Sequence, residues 1–98
     1  MLIEWSVWAV ADRDAIFDYI EADSPKTAVA VDRRIEKQVK ALALFPEMGR
    51  PGRVEQTREL VIKRTPFIVA YRIEGDSVRI LRVLRGAQRW PENMPDQQ

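Results

Sequence analysis

The chain contains no cysteine and no histidine. Without cysteine there is no disulfide framework and no thiolate metal site, which fits a reducing compartment. Without histidine the commonest general base and the commonest metal ligand are missing together. No metal or cofactor is expected. No apolar run approaches the length needed to span a membrane. The start, Met1-Leu2-Ile3-Glu4-Trp5, lacks the positive charge and long apolar stretch of a signal peptide. These absences point to the cytoplasm. No internal repeat or low-complexity segment is present.

What remains is a 98-residue sequence, long enough for one domain with a modest core. Its hydrophobic content of 46% fits a globular chain rather than a disordered one. The net charge of +1 argues against a general nucleic-acid binder, so direct DNA binding by the chain alone is not expected. The charges are unevenly placed. Asp12, Asp14, Asp18, Glu21 and Asp23 crowd the first half, whereas Arg50 to Arg89 holds nine arginines and one lysine against four acids. The basic side of the molecule belongs to the C-terminal half.

Leu2 to Val7 alternates loosely and predicts a short strand. From Trp8 to Ala22 the period changes to three and four, with Trp8, Ala11, Ala15, Ile16, Tyr19 and Ile20 on one face and Asp12, Asp14 and Asp18 on the wet side. Ser24-Pro25 is a strong helix start. The second helix is predicted to run to about Phe45 on a stripe of Ala28, Val31, Ile35, Val39 and Leu42, with Pro46 stopping it. The short link between them makes an antiparallel helical hairpin. Trp5 and Trp8 are expected in the core or the hairpin.

After the basic connection Gly49-Arg50-Pro51-Gly52-Arg53, strands are predicted at Glu59–Lys63, Phe67–Ile73 and Val78–Leu84. Glu74-Gly75-Asp76-Ser77 is the tight turn between the last two. With Gly75-Asp76 as the loop, Ile73 opposes Val78, Arg72 opposes Arg79, Tyr71 opposes Ile80, and the register continues to Phe67 opposite Leu84. One sheet face then carries Phe67, Val69, Tyr71, Ile73, Val78, Ile80, Arg82 and Leu84. The other carries Ile68, Ala70, Arg72, Arg79, Leu81, Val83 and Arg85. Two helices cover only one face. The other is expected to stand open until a partner covers it. Arg72 opposite Arg79 points the same way, since like charges across a ladder call for an anion between them. The expected fold is α+β: a short N-terminal strand and a helical hairpin packed on a mainly antiparallel C-terminal sheet. The domain is expected over residues 1–91, with a flexible tail over 92–98.

The order of these elements resembles the RelE/ParE toxin superfamily. The residues that carry the likeness are Gly49-Arg50-Pro51-Gly52-Arg53, Thr57-Arg58-Glu59-Leu60, Tyr71-Arg72-Ile73, the Gly75-Asp76 turn and Ile80 to Trp90. The resemblance implies the toxin of a type II toxin–antitoxin operon, neutralised by a cognate ParD-like, operator-binding antitoxin whose extended segment wraps the toxin. Within the superfamily the RelE branch cleaves messenger RNA in the ribosome, and the ParE branch inhibits DNA gyrase by stalling it on cut DNA. RelE-like members carry a catalytic arginine early in the third strand, where this chain has Ile68. They carry a later basic residue and tyrosine, where it has Gln88 and Trp90. Many relatives have histidine at the position of Arg85. Tyr19 and Tyr71 read as core or sheet residues. The ParE branch, without intrinsic catalysis, is therefore the expectation. A RelE-like ribonuclease holding phosphates with Arg82, Arg85 and Arg89 is the alternative, as is a non-toxic antitoxin-binding module.

The candidate partner and target contacts are Arg50, Arg53, Arg58, Arg72, Arg79, Arg82, Arg85, Arg89 and Trp90. Each has a local alternative. Arg50, Arg53 and Arg58 can pair with nearby acids such as Glu47 and Glu59. Arg82, in mid-strand, is costly to bury unpaired and takes either a partner or an internal ion pair. Trp90 is an interface anchor or a cap on the sheet. Glu55 and Glu59, set among arginines, read as salt-bridge partners rather than bases.

Overall fold

Ser6 sets the architecture by ending one element and starting the next. Its side chain accepts the N–H of Ala9 at 3.0 Å and so caps the first helix. Its own N–H and hydroxyl tie that corner to the sheet, at Ile80 and Leu81 carbonyls respectively. The computed structural model describes residues 1–86. It is an α+β fold with β1 (Leu2–Trp5), α1 (Val7–Glu21), α2 (Pro25–Lys40), a 3-10 turn (Ala41–Ala43), β2 (Arg50–Pro51), β3 (Arg58–Val61), β4 (Phe67–Glu74) and β5 (Ser77–Arg85). The five strands lie in the order β1-β5-β4-β3-β2. β1 runs parallel to β5 and the other pairings are antiparallel.

α2 starts where Ser24 accepts the Thr27 N–H, with Pro25 in the first turn. Its stripe of Ala28, Val31, Ile35 and Val39 is buried. Each valine or isoleucine so buried contributes about 1.5–3 kcal/mol. The α-helix ends at Lys40 and tightens into the 3-10 turn, short of the expected Phe45, and Leu42 remains in the core. The helix-side core joins α2 to Leu60, Ile62, Phe67, Val69, Tyr71, Val78, Ile80 and Val83.

α1 departs from its predicted face. Trp8 is 61% and Tyr19 77% exposed, and only Ala9 of this helix is fully buried, with Ile16 and Ile20 packed against the core. Trp8 and Tyr19 are therefore not core residues. α1 is apolar over most of its circumference, so periodicity did not single out its inner side. Asp12 is not on the wet side either: its carboxylate faces β5 and binds Arg82.

The β4–β5 register starts as expected, with Ile73 opposite Val78, Arg72 opposite Arg79 and Tyr71 opposite Ile80. A bulge then intervenes, and Ala70 opposes Arg82, Val69 opposes Val83, Ile68 opposes Leu84 and Phe67 opposes Arg85. Because side chains alternate, the one-residue slip exchanges faces. Val83 joins the helix-side core, and Leu84 joins Ile68, Ala70 and Leu81 on the second face.

That second face does not stand open. Ile68, Ala70, Leu81 and Leu84 are all buried within the single chain, and Val54 of the loop before β3 packs against them. The expected bare sheet face is thus corrected: the connection after β2 folds over it. β2 was not foreseen, because two residues leave no alternation to read. The expected tail over 92–98 lies outside the described residues. Among the described residues no helix is long and apolar enough to cross a membrane.

Candidate partner-binding site

The parallel β1–β5 ladder stops at Trp5 opposite Ile80, yet β5 continues to Arg85. The remaining edge of β5 is met by α1. Asp12 accepts Nε and Nη2 of Arg82 at 2.7 and 2.9 Å, and the backbone N–H of Val83 at 2.9 Å. One carboxylate thus supplies an ion pair and stands in for the missing neighbour strand. Arg82 and Asp12 are both only slightly exposed. The hydrogen bonds that Arg82 donates to Asp12 raise the Arg82 pKa against the opposing effect of burial. The Trp8 ring lies 5.9 Å from the same guanidinium.

Beyond this clasp a groove of about 520 Å³ opens between α1, α2 and the ends of β4 and β5. Ile16, Tyr19, Phe67 and Val83 give it apolar walls, and Asp12, Arg82 and Arg85 supply its polar lining. Arg85 is exposed and lies 5.7 Å from the Phe67 ring. The groove is suited to an apolar or amphipathic segment carrying acidic groups.

The other candidate arginines are distributed elsewhere. Arg50 is held through Nε by Glu59 at 2.9 Å, with 60% of its side chain exposed and the carboxylate buried. Arg58 donates to the carbonyls of Glu47 and Gly49 at 3.1 and 2.8 Å, so it braces the Gly49 turn. Arg53 is exposed on the loop that carries Val54. Arg72 and Arg79 oppose each other near the β4–β5 turn, and the carboxylate of Glu74 bonds Arg72 at 2.6 Å. Arg89 and Trp90 lie outside the described residues. The structure therefore brings Arg82 and Arg85 together at one groove, and turns Arg50, Arg58, Arg72 and Arg82 to intramolecular pairing. Sequence reasoning missed Trp8 and Tyr19 as surface residues and Asp12 as a groove residue bound to β5. The available signal was that α1 is too apolar all round for a helix with one buried side.

Tyr71 bears on chemistry. Its hydroxyl donates to Pro46 carbonyl at 2.7 Å and accepts the Gly49 N–H at 2.9 Å. Burial raises its pKa, with the Gly49 bond and the nearby Arg58 charge acting in the opposite sense. It is a structural clip.

A family model described as the ParE toxin of the type II toxin–antitoxin system parDE matches residues 3–90. The chain belongs to this ParE toxin family. Among curated relatives, Y4kP of Sinorhizobium fredii is 47% identical over 92% of this chain and 93% of its own length. Toxin RelE2 of Caulobacter vibrioides is 34% identical over 88% of this chain and 96% of its own length. Toxin ParE3 of the same organism is 36% identical over 76% of each. A solved chain from the chromosomal ParDE toxin–antitoxin system of P. aeruginosa superposes with a TM-score of 0.78 at 36% identity, covering 87% of this chain and 95% of that one. The expected superfamily and fold class are thus both found. As a ParE-family toxin the chain is one half of a two-component system, and the groove beside α1 is the surface to examine for the other half.

Proposed function

We propose that this toxin acts by binding DNA gyrase rather than by chemistry of its own, and that its antitoxin silences it by covering the α1–β5 groove. The observation that carries the non-catalytic reading is Tyr71. A general acid or base must reach substrate with a proton to exchange. The Tyr71 hydroxyl is bonded on both sides to backbone and is raised in pKa by burial. Tyr19 stands exposed at the groove beside arginines, and the chain has no histidine to pair with it. Arg82, which a ribonuclease would use on phosphate, is occupied by Asp12 on two nitrogens.

The antitoxin part of the proposal is supported by exposed apolar area on α1. Trp8 and Tyr19 are more than half exposed; Tyr19 lines the groove, and the Trp8 ring lies beside Arg82, which also lines it. A folding-on-binding segment is the partner type that covers such an elongated surface. Arg85 and Arg53, both exposed, are the arginines proposed to meet acidic groups of target or antitoxin. Gyrase as target places the protein in the cytoplasm.

A second reading, ribosome-dependent cleavage of messenger RNA, is favoured by the 34% identity to toxin RelE2 and by exposed Arg85. Two assays on purified toxin separate the readings. Immobilised toxin is expected to capture gyrase, with prior addition of antitoxin abolishing capture. Messenger RNA on translating ribosomes is expected to stay intact. Cleavage that Arg85→Ala abolishes, together with no gyrase capture, would reverse the assignment.

A further inference from the structure

Outside its buried stripe α2 is highly charged, and the two signs lie on different sides. The acids turn toward α1. Asp32 accepts Nε and Nη2 of Arg13 at 3.0 and 2.8 Å, and Glu36 accepts from the same guanidinium at 3.4 Å. The outer side of the helix is left to the cations. Lys26, Arg33 and Lys37 follow one another at steps of seven and four, which sets them on one face. That face lies opposite the buried Ala28, Val31, Ile35 and Val39, and all three cations are exposed. Lys40 continues the row and meets Glu36, one turn back, at 3.3 Å.

The β3–β4 turn extends this surface. Gln38 accepts the Lys63 N–H at 2.8 Å and donates to the Lys63 carbonyl at 3.3 Å, which fixes the turn against α2. Lys63 and Arg64 are exposed there, and partly exposed Arg34 lies one helical turn from Gln38. Arg64 takes φ 66°, so its charge is held in place against a backbone preference of about 1–2 kcal/mol. Among the described residues no carboxylate comes within ion-pair distance of Lys26, Arg33, Arg34, Lys37, Lys63 or Arg64. The net charge of +1 averages over this separation, since Asp14, Asp18 and Glu21 are exposed on α1 instead.

We infer that the outer face of α2, with the β3–β4 turn, binds the phosphate backbone of duplex DNA without regard to sequence. Val29 is the one large apolar side chain of α2 that is exposed, so this helix offers no aromatic or aliphatic anchor row of the kind that holds a protein partner. A row of exposed cations spanning about 17 Å from Lys26 to Lys37, at 1.5 Å per residue, fits the repeating charge of a nucleic-acid backbone instead. The choice of DNA rests on the gyrase reading above, since gyrase stalled on cut DNA holds a duplex. It replaces the expectation, drawn from net charge alone, that the chain does not bind DNA by itself. The face is separate from the α1 groove, to which α2 contributes Thr27 and Val31.

Fluorescence anisotropy of a short labelled DNA duplex titrated with purified toxin tests the inference. Binding is expected at about 50 mM salt and is expected to weaken with a log–log slope of about −4, the value for four or five neutralised phosphates. Two unrelated sequences are expected to bind alike. Arg33→Gln combined with Lys37→Gln is expected to reduce the slope by about 2. Both side chains are exposed, so the urea midpoint is expected to stay where it is. No binding at about 50 mM salt, or a slope that the double variant leaves unchanged, overturns the inference. Poly-glutamate that displaces the duplex at equal charge overturns it in favour of an acidic protein. A clear preference for an RNA duplex overturns it in favour of the ribosome reading. Toxin that binds no DNA yet captures DNA-free gyrase would sink this inference alone, whereas toxin that binds DNA yet captures no gyrase would sink the gyrase reading.

Discussion

The hydroxyl of Tyr71 and the backbone of Gly49 sit so close that a side chain on the glycine has nowhere to go. The N–H to hydroxyl distance is 2.9 Å, and a Cβ on Gly49 would lie 2.5 Å from the Tyr71 hydroxyl and 2.8 Å from the Glu59 carbonyl. One neighbour is a clipped ring and the other is backbone, so neither gives way easily. Gly49→Ala is expected to destabilise the toxin by about 1–3 kcal/mol, the usual cost of overpacking. Urea denaturation of the two proteins measures it, and an unchanged midpoint would mean that the turn relaxes freely.

Tyr71 also gives a pH dependence with a definite sign. Its folded pKa is raised above the ordinary value of 10.0. The folded state therefore holds this proton more tightly than the unfolded state. The associated stability is fully present below pH 10 and is lost as pH rises from there through the folded pKa. Tyr71→Phe is expected to flatten that alkaline slope. At neutral pH it leaves the Gly49 N–H and Pro46 carbonyl without this partner, at a cost of about 1–3 kcal/mol. Denaturation series from pH 7 to 11 on both proteins test the slope and the offset together.

The Asp12–Arg82 clasp joins α1 to the second half of β5, so its loss is expected to loosen the whole groove. Asp12→Ala removes two charge-assisted bonds and the cap on Val83 N–H. We expect a loss of about 2–3 kcal/mol, since bonds to charged groups are worth about 1.5–3 kcal/mol each and rearrangement recovers part. A double-mutant cycle with Arg82→Ala should show a coupling energy of about 0.5–3 kcal/mol. A coupling near zero would mean that the pair contributes nothing to holding α1.

Gln56 adopts φ 67°, in the loop that carries Val54 onto the second sheet face. A non-glycine residue in this region is strained by about 1–2 kcal/mol, part of which glycine would return as chain entropy. Gln56→Gly is expected to raise stability by about 0.5–1 kcal/mol, seen as a higher thermal midpoint. A lower midpoint would show that the Gln56 side chain contributes more than its backbone costs.

How far the sequence revealed this molecule depends on the element. α2 was legible because a capping serine, an N-terminal proline and a regular stripe all agree. The hairpin turn was legible because Gly75 has the positive φ that such a turn needs. The slip after Tyr71 was not, because a bulge leaves no mark in a run that is apolar on both faces. It reversed the faces of Val83 and Leu84, and with them part of the expected open surface. α1 misled for the opposite reason: apolar residues on every side conceal which side packs. Of the candidate arginines, Arg82 and Arg85 do meet at one groove, yet the acid that claims Arg82 is 70 residues away in sequence. Such a pairing is visible only once the chain is folded.

The claim that this toxin works by occupying gyrase is tested most directly by a supercoiling assay with purified gyrase, relaxed plasmid and increasing toxin. The account predicts that supercoiling falls with toxin concentration, that cut plasmid accumulates, and that equimolar antitoxin restores the reaction. Full supercoiling at every toxin concentration, with toxin that still binds its antitoxin, would contradict it.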